Sequence, residues 1–324
     1  MLFRKYTTSG VLRGMQSLKA PFPFFGGKSG AAKEVWAALG PVENYVEPFA
    51  GSLAVFLARP TPPKEEVVND LDGHIANVWR SIQLKPEEVV KYASGPVIEV
   101  DQHARHLWLV GMRESLTEKL SADFEFCDPK AAGFWVHGAY NWIGSGWCLH
   151  DKPSKQLPRI SSAGFASREE DNFLAWIQAL SKRLAKVKIC NGDWARVLSP
   201  SVTWDHYWSR HNGNSGIFFD PPYSDKASKC KLYKGQDFTV SAAVRQWCKD
   251  NGHHKALRIV LAGFEGEGHE ELEALGWRCV PWFKPGFNNR GYAIQSEAGT
   301  NQGKERLWLS PHCLQESSLE DWMP

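Results

Sequence analysis

The chain of 324 residues has no run of about 18 consecutive apolar residues, so no membrane-spanning helix is expected. It has no GxGxxG fingerprint, which argues against a dinucleotide-dependent dehydrogenase. None of its seven cysteines forms a CxxC pair, and the odd, widely spaced set makes reduced thiols the expectation. Cys148-Leu149-His150 lacks a second ligand pair, so no metal site is expected there. Arg4, Lys5 and Arg13 are followed by no apolar core, so a signal peptide is not expected and residues 1–19 read as a loose arm. A net charge of +2 supplies no global basic field, and binding to nucleic acid would need a local one. What remains is ordinary globular composition, 43% hydrophobic and 23% charged, with fifteen tryptophans.

The most informative residues are Asp220-Pro221-Pro222-Tyr223, which follow the apolar run Gly216-Ile217-Phe218-Phe219. That run reads as a buried strand, and its C-terminal end is where open α/β sheets bind ligands. Two prolines fix the backbone and remove two N–H donors, leaving bare carbonyls. Asp220 and the Pro221 carbonyl then suit an exocyclic amino group as hydrogen-bond acceptors, with Tyr223 stacking on the ring that carries it.

Further junctions of the same kind precede it. Asn44-Tyr45-Val46 reads as a strand ending in Glu47-Pro48-Phe49-Ala50-Gly51-Ser52, with a helix expected over Leu53 to Ala58. Glu66 to Asp70 reads as a second strand and Gly73 to Gln83 as a helix, which together begin a parallel sheet with crossover helices. Asp70 suits ribose hydroxyls or, equally, a helix N-cap. Val187 to Cys190 reads as a third strand before Gly192-Asp193-Trp194, where Asp193 suits an adenine amino group or a plain turn. Ala256 to Ala262 is a further strand. His269 to Leu275 reads as a helix, and Trp277 to Phe283 and Glu305 to Ser310 as an antiparallel pair.

Between these blocks, from about Pro96 to Arg183, the pattern is helical, irregular and rich in His, Trp and Gly, as expected of an inserted domain whose tryptophans are core. The loop after Tyr223 interleaves Lys226, Lys229, Lys231 and Lys234 with Tyr233, a composition that suits a nucleic-acid backbone or an ordinary solvated loop. In Phe24-Phe25-Gly26-Gly27-Lys28 the glycines read as turn formers. The lysine is either solvated or part of a flexible loop closing on a carboxylate or substrate.

Taken in order, Phe24-Phe25-Gly26-Gly27-Lys28, Glu47 to Ser52, Asn69-Asp70, Gly192-Asp193-Trp194 and Asp220 to Tyr223 resemble the Dam-like class of DNA adenine-N6 methyltransferases. Stretches such as Asp101 to Leu109 and Trp142 to Cys148 are similar to a subgroup common in phages and prophages.

The resemblance implies a doubly wound, mostly parallel α/β sheet of the S-adenosylmethionine-dependent methyltransferase fold. The catalytic domain would cover 20–95 and 184–313, and a helical target-recognition domain 96–183. It implies S-adenosylmethionine as cofactor, held by Phe24, Gly26, Gly27, Lys28, Glu47, Phe49, Gly51, Asp70, Asp193 and Asp220. Asp220, Pro221, Pro222 and Tyr223 would be the catalytic tetrad, acting on adenine flipped out of double-stranded DNA in the cytoplasm of a bacterial cell or phage-infected host. Lys226, Lys229, Lys231, Tyr233 and Lys234 are the expected DNA clamp. Leu53 departs from the family pattern by replacing a glycine. The competing expectations are a cytosine-N4 or RNA amino-methyltransferase and a non-catalytic DNA-binding protein on a decayed scaffold.

Overall fold

The computed structural model describes residues 18–24, 26–60, 64–143, 147–148, 157–158, 170–204, 213–222, 239–282 and 303–315. In chain order the elements are α1 (Ala32–Leu39), β1 (Asn44–Glu47), α2 (Ala54–Leu57), β2 (Glu65–Asp70), α3 (Gly73–Leu84), α4 (Pro86–Ala93), α5 (Glu99–Ala122), α6 (Pro129–Asn141) and α7 (Glu170–Leu184). Then come β3 (Lys188–Asn191), a 3-10 turn (Trp194–Leu198), α8 (Pro200–Thr203), β4 (Ser215–Phe219), α9 (Thr239–Asn251) and β5 (Leu257–Phe264). A second 3-10 turn (His269–Leu275), β6 (Arg278–Pro281) and β7 (Glu305–Leu309) complete the order.

The strands form one seven-stranded sheet in the order β3-β2-β1-β4-β5-β7-β6. The first five run parallel, and β7 is antiparallel to both β5 and β6. All residues of β1 and β4 are buried, as expected for central strands covered on both faces. Strand alternation divides the core in two. Tyr45, Val68, Phe218, Val260, Ala262 and Leu307 face one cluster, which they share with α1 and α3 to α7. Val46, Val67, Ile217, Phe219, Ile259 and Leu261 face the other, with Val244 and Cys248 of α9.

Besides shifts of one or two residues at strand ends, three differences from the sequence expectation have a physical cause. Pro86 opens a helix of its own, α4, with Glu87 and Glu88 in its first turn, a start signal that the pattern around it obscures. Residues 269–275 wind as a 3-10 helix rather than an α-helix, between Gly268 and Gly276, both at positive φ. The helix expected from Leu53 begins one residue later, because Leu53 itself is left-handed.

The helices of 96–183 share the first core cluster with the sheet. Leu109, Ala131, Ala132, Trp135 and Val136 pack there with Ile75, Val78 and Trp79 of α3. Gly133 of α6 lies so close to α4 that a Cβ would sit 2.8 Å from the Val89 carbonyl oxygen. Trp135 is buried, and Trp142 stacks on His106 with ring centroids 4.6 Å apart.

The chain returns from α7 to the sheet through a buried ion pair. Glu66 receives Arg59 at 3.1 Å and both guanidinium nitrogens of Arg183 at 2.6 and 2.7 Å, and all three side chains are nearly inaccessible. A buried pair broken on one side leaves a charge uncompensated, at a cost of about 3–5 kcal/mol. Glu66→Ala therefore loses stability of about that size in urea denaturation, and Glu66→Gln, which keeps acceptor and shape, loses less.

Candidate active site

The site forms at the C-terminal ends of β1, β2, β3 and β4. The onward connections of β1 and β4 run to opposite sides of the sheet, which opens a crevice between their loops.

The first wall is the loop before α1. The Gly27 N–H donates to the Phe24 carbonyl at 3.1 Å, and Gly26 has φ of 75°, which closes a tight turn that only glycine enters without strain. The turn carries Lys28 inward. Its Nζ donates to the Gly26 carbonyl at 2.6 Å and lies 3.0 Å from Asp220 Oδ1, with the lysine side chain 3% exposed and the aspartate 21%. Of the two expectations for this lysine, the solvated one is wrong: it closes on a carboxylate. The spacing of 192 residues hides that partnership from the sequence.

The second wall is the turn after β1. Gly51 has φ of 45°, and a Cβ there would lie 2.8 Å from the Phe24 ring. Asp70 holds this turn from β2: its Oδ2 accepts from Gly51 N–H and its Oδ1 from Asp72 N–H, each at 2.9 Å. The N-cap of α3 is Asp72, whose carboxylate accepts from His74 N–H, so the N-cap alternative for Asp70 is corrected. Burial pushes the Asp70 carboxyl up to about 6, against the pull of the two backbone donors.

Asn69, beside it, ties three loops together. Its Nδ2 donates to the Pro48 and Gly192 carbonyls at 3.0 Å each, while its Oδ1 is buried with no partner among the described residues. Trp79 Nε1 donates to the Gly51 carbonyl at 2.9 Å, and Phe22 packs between Trp79 and Trp135 of α6 at 5.4 and 4.8 Å. Helix α6 thus buttresses the turn through Phe22 and Trp79.

Leu53 occupies the left-handed region at φ 53° while fully buried, a conformation that glycine enters with less strain and that makes α2 start at Ala54. Its strain costs about 1–2 kcal/mol, and removing a buried leucine side chain costs about 2–5 kcal/mol. Burial outweighs strain.

Glu47 is nearly inaccessible and accepts from the Tyr45 hydroxyl at 2.8 Å. Burial pushes its carboxyl up to about 8, the Tyr45 hydrogen bond opposes this, and the charge of Asp220 adds to it. Phe49 stacks on Trp194 with centroids 6.2 Å apart, and both lean on Phe219. Trp194 thus joins the site, although sequence reasoning placed only its neighbour Asp193 there. The exposed Asp193 accepts from Ala195 N–H at 2.9 Å and caps the 3-10 turn, so its turn role is present.

Pro221 is buried and Pro222 half-buried at the end of β4. Phe25, Tyr223, Lys226, Lys229, Lys231, Tyr233 and Lys234 lie outside the described residues. A residue with no sequence signal also joins the site. Glu305, first in β7, is half-buried, and its carboxyl is pushed up to about 6 by burial, with Lys28 pulling it down and Asp220 pushing it up. Its place follows from strand alternation. Tyr45, Phe218 and Leu307 face the first core cluster, so Glu47, Asp220 and Glu305, each two residues away, emerge on that same face under Lys28.

Two outcomes follow. Leu53→Gly lowers stability by about 1–3 kcal/mol in chemical denaturation despite relieving the backbone. Glu47, with a raised native value, contributes stability that is complete below its unfolded value near 4.5 and is lost as pH rises through about 8. Glu47→Gln therefore flattens the fall in melting temperature between pH 6 and 9 and leaves the variant more stable than the parent at pH 9.

No helix among the described residues is long and apolar enough to cross a membrane. No curated protein matches the chain. Residues 24–102, which carry the Lys28 turn, the Gly51 turn and Asp70, match the model of the family described as D12 class N6 adenine-specific DNA methyltransferase. A methyl donor and a DNA substrate follow from that family. The mixed seven-stranded sheet with flanking helices agrees with that match, and N6 methylation of adenine in DNA is the activity that the match over residues 24–102 supports.

Proposed function

We propose that the methyl donor is S-adenosylmethionine and that the acceptor is an adenine flipped out of double-stranded DNA onto Asp220-Pro221-Pro222-Tyr223. The observation that carries this is the buried Lys28 ammonium 3.0 Å from Asp220, at the mouth of the crevice. It fixes one oxygen of a carboxylate that stands beside two prolines without N–H groups.

The residues fit such a donor. Gly51 and Gly27 let the Phe24 segment and the β1 turn approach closely at the crevice, Asn69 Oδ1 is buried among the loops with no partner among the described residues, and Asp70 and Asp220 offer carboxylates to a cationic guest. In this reading Phe24, Gly26, Gly27, Lys28 and Gly51 hold the amino-acid end. Asp70 accepts from the ribose hydroxyls, and Phe49 and Asp193 border the adenine. Glu47 holds the β1 turn through Tyr45. Once bound, the donor supplies a methyl group activated on a sulfonium.

The chain's own work is orientation. The adenine amino nitrogen is a poor nucleophile because its lone pair is delocalised into the ring. Asp220 and the Pro221 carbonyl accept its two hydrogens and draw the nitrogen toward tetrahedral geometry, so the lone pair is freed on one side. Tyr223 stacks on the flipped base, whose extrusion costs a few kcal/mol. Lys226, Lys229, Lys231, Tyr233 and Lys234 grip the backbone, and residues 96–183 read the target sequence. The setting is the cytoplasm of a bacterial or phage-infected cell, with members of the phage and prophage subgroup as kin.

The test is product identity. With labelled donor and unmethylated duplex DNA, the label is expected in N6-methyldeoxyadenosine after digestion to nucleosides. Label in deoxycytidine or in RNA alone would overturn the acceptor, and failure to bind the donor would restore the decayed-scaffold reading. Asp220→Ala is expected to lose transfer by at least about a thousandfold while still binding donor in calorimetry; retained activity would show that Asp220 is not the acceptor of the target amine.

A further inference from the structure

Glu305 is absent from every motif that the sequence offers, yet it stands in the same electrostatic cluster as the proposed catalytic carboxylate. It opens β7 opposite Phe264 of β5, on the face that also carries Asp220 and Glu47. Its neighbours on the strand turn elsewhere: Arg306 pairs with Glu265 at 2.6 Å, and Lys304 is exposed. Glu267, beyond the end of β5, lies 3.6 Å from His269. Among the described residues Glu305 itself has no ion-pair partner within contact distance. The charges it feels are therefore Lys28 and Asp220, with Lys28 the stronger. Lys28 in turn is the buried cation 3.0 Å from the Asp220 carboxylate, and Glu305 lies on the same face of the sheet as Asp220.

We propose that Glu305 is a positioning residue for methyl transfer: from the β7 edge it shares the Lys28 ammonium with Asp220, and so sets how tightly that ammonium holds the carboxylate that receives the target amine. The proposal rests on the role assigned to Asp220 in methyl transfer. Its physics is a competition. With Glu305 ionised, two carboxylates divide one positive charge, and Asp220 keeps acceptor strength for the amine. With Glu305 neutral, Asp220 no longer competes with it for the Lys28 charge, and the amine meets a weaker acceptor. Because Glu305 titrates near 6, the exchange occurs as pH falls through that value. Glu47, raised to about 8, stays protonated through this range and does not join the competition. Asp70 also titrates near 6, but it faces the donor site, so its protonation is read in donor affinity and not in the rate at saturation.

The experiment measures kcat from pH 5 to 9 with donor and duplex DNA both saturating, for the parent chain and Glu305→Gln. The parent is expected to lose rate on the acid side with a midpoint near 6. Glu305→Gln is expected to be flat across that range, at the parent's acid level and roughly tenfold below the parent at pH 8, with the donor dissociation constant unchanged. A variant that keeps the parent's acid limb overturns the proposal.

A second measurement does not depend on turnover. The Glu305 carboxyl is titrated by 13C NMR in the parent, Asp220→Asn and Lys28→Met. Asp220→Asn is expected to lower its midpoint and Lys28→Met to raise it. A midpoint that moves in neither variant overturns the coupling, even where adenine methylation itself is confirmed. Absence of adenine methylation by the parent chain would instead remove the role of Asp220, a failure recognisable as separate.

Discussion

Everything at the site depends on one topological constraint: β1 and β4 are neighbours whose chains leave in opposite directions. β1 leads by way of α2 to β2, and β4 by way of α9 to β5, so no crossover covers the gap between their C-terminal ends. Each functional group reaches the gap from one of its margins. Asp70 and Asn69 come from the β2 side, Asp220 from β4, and Glu305 from the antiparallel strand that the β5 side recruits. The Lys28 turn closes the gap from above, because α1 packs on the same face of the sheet.

Burial at this margin has an electrostatic consequence. Glu47, Asp70 and Glu305 are all pushed above the ordinary carboxylate range, each chiefly by loss of water. They differ in what compensates. Asp70 has two backbone N–H groups, Glu47 has a phenol, and Glu305 has the field of a lysine held by another residue. Three similar carboxylates thus occupy three different electrostatic states within one crevice, set by their immediate partners and not by residue type.

Much of the fold was legible in the sequence because parallel strands buried on both faces read as short apolar runs, and their ends are marked by Asp, Asn and Gly. Phe218-Phe219-Asp220 and Val68-Asn69-Asp70 are such cases, and both strands end at those residues, to within one position. The late antiparallel pair was equally visible. What escaped was conformational or long-range. Leu53 sits in a helical sequence pattern, and only its φ of 53° excludes it from the helix. Pro86 was hidden by the continuous helical pattern before it. Lys28 looked like any loop lysine, since nothing local announces a counter-ion 192 residues away. Glu305 looked like the polar start of a strand, and its meaning depends on three strands lying side by side.

The aromatic contact beneath the Gly51 turn has a consequence for which parts of the chain can change independently. Trp135 of α6 meets Phe22, and Phe22 meets Trp79, whose indole holds the Gly51 carbonyl. Helix α6 is therefore not independent of the sheet margin, for its Trp135 supplies part of the floor beneath the Gly51 turn. A change of side chain at Trp135 is transmitted through Phe22 to Trp79 and so to the Gly51 carbonyl, which ties the loop before α1 and the helix α6 to the geometry of one turn.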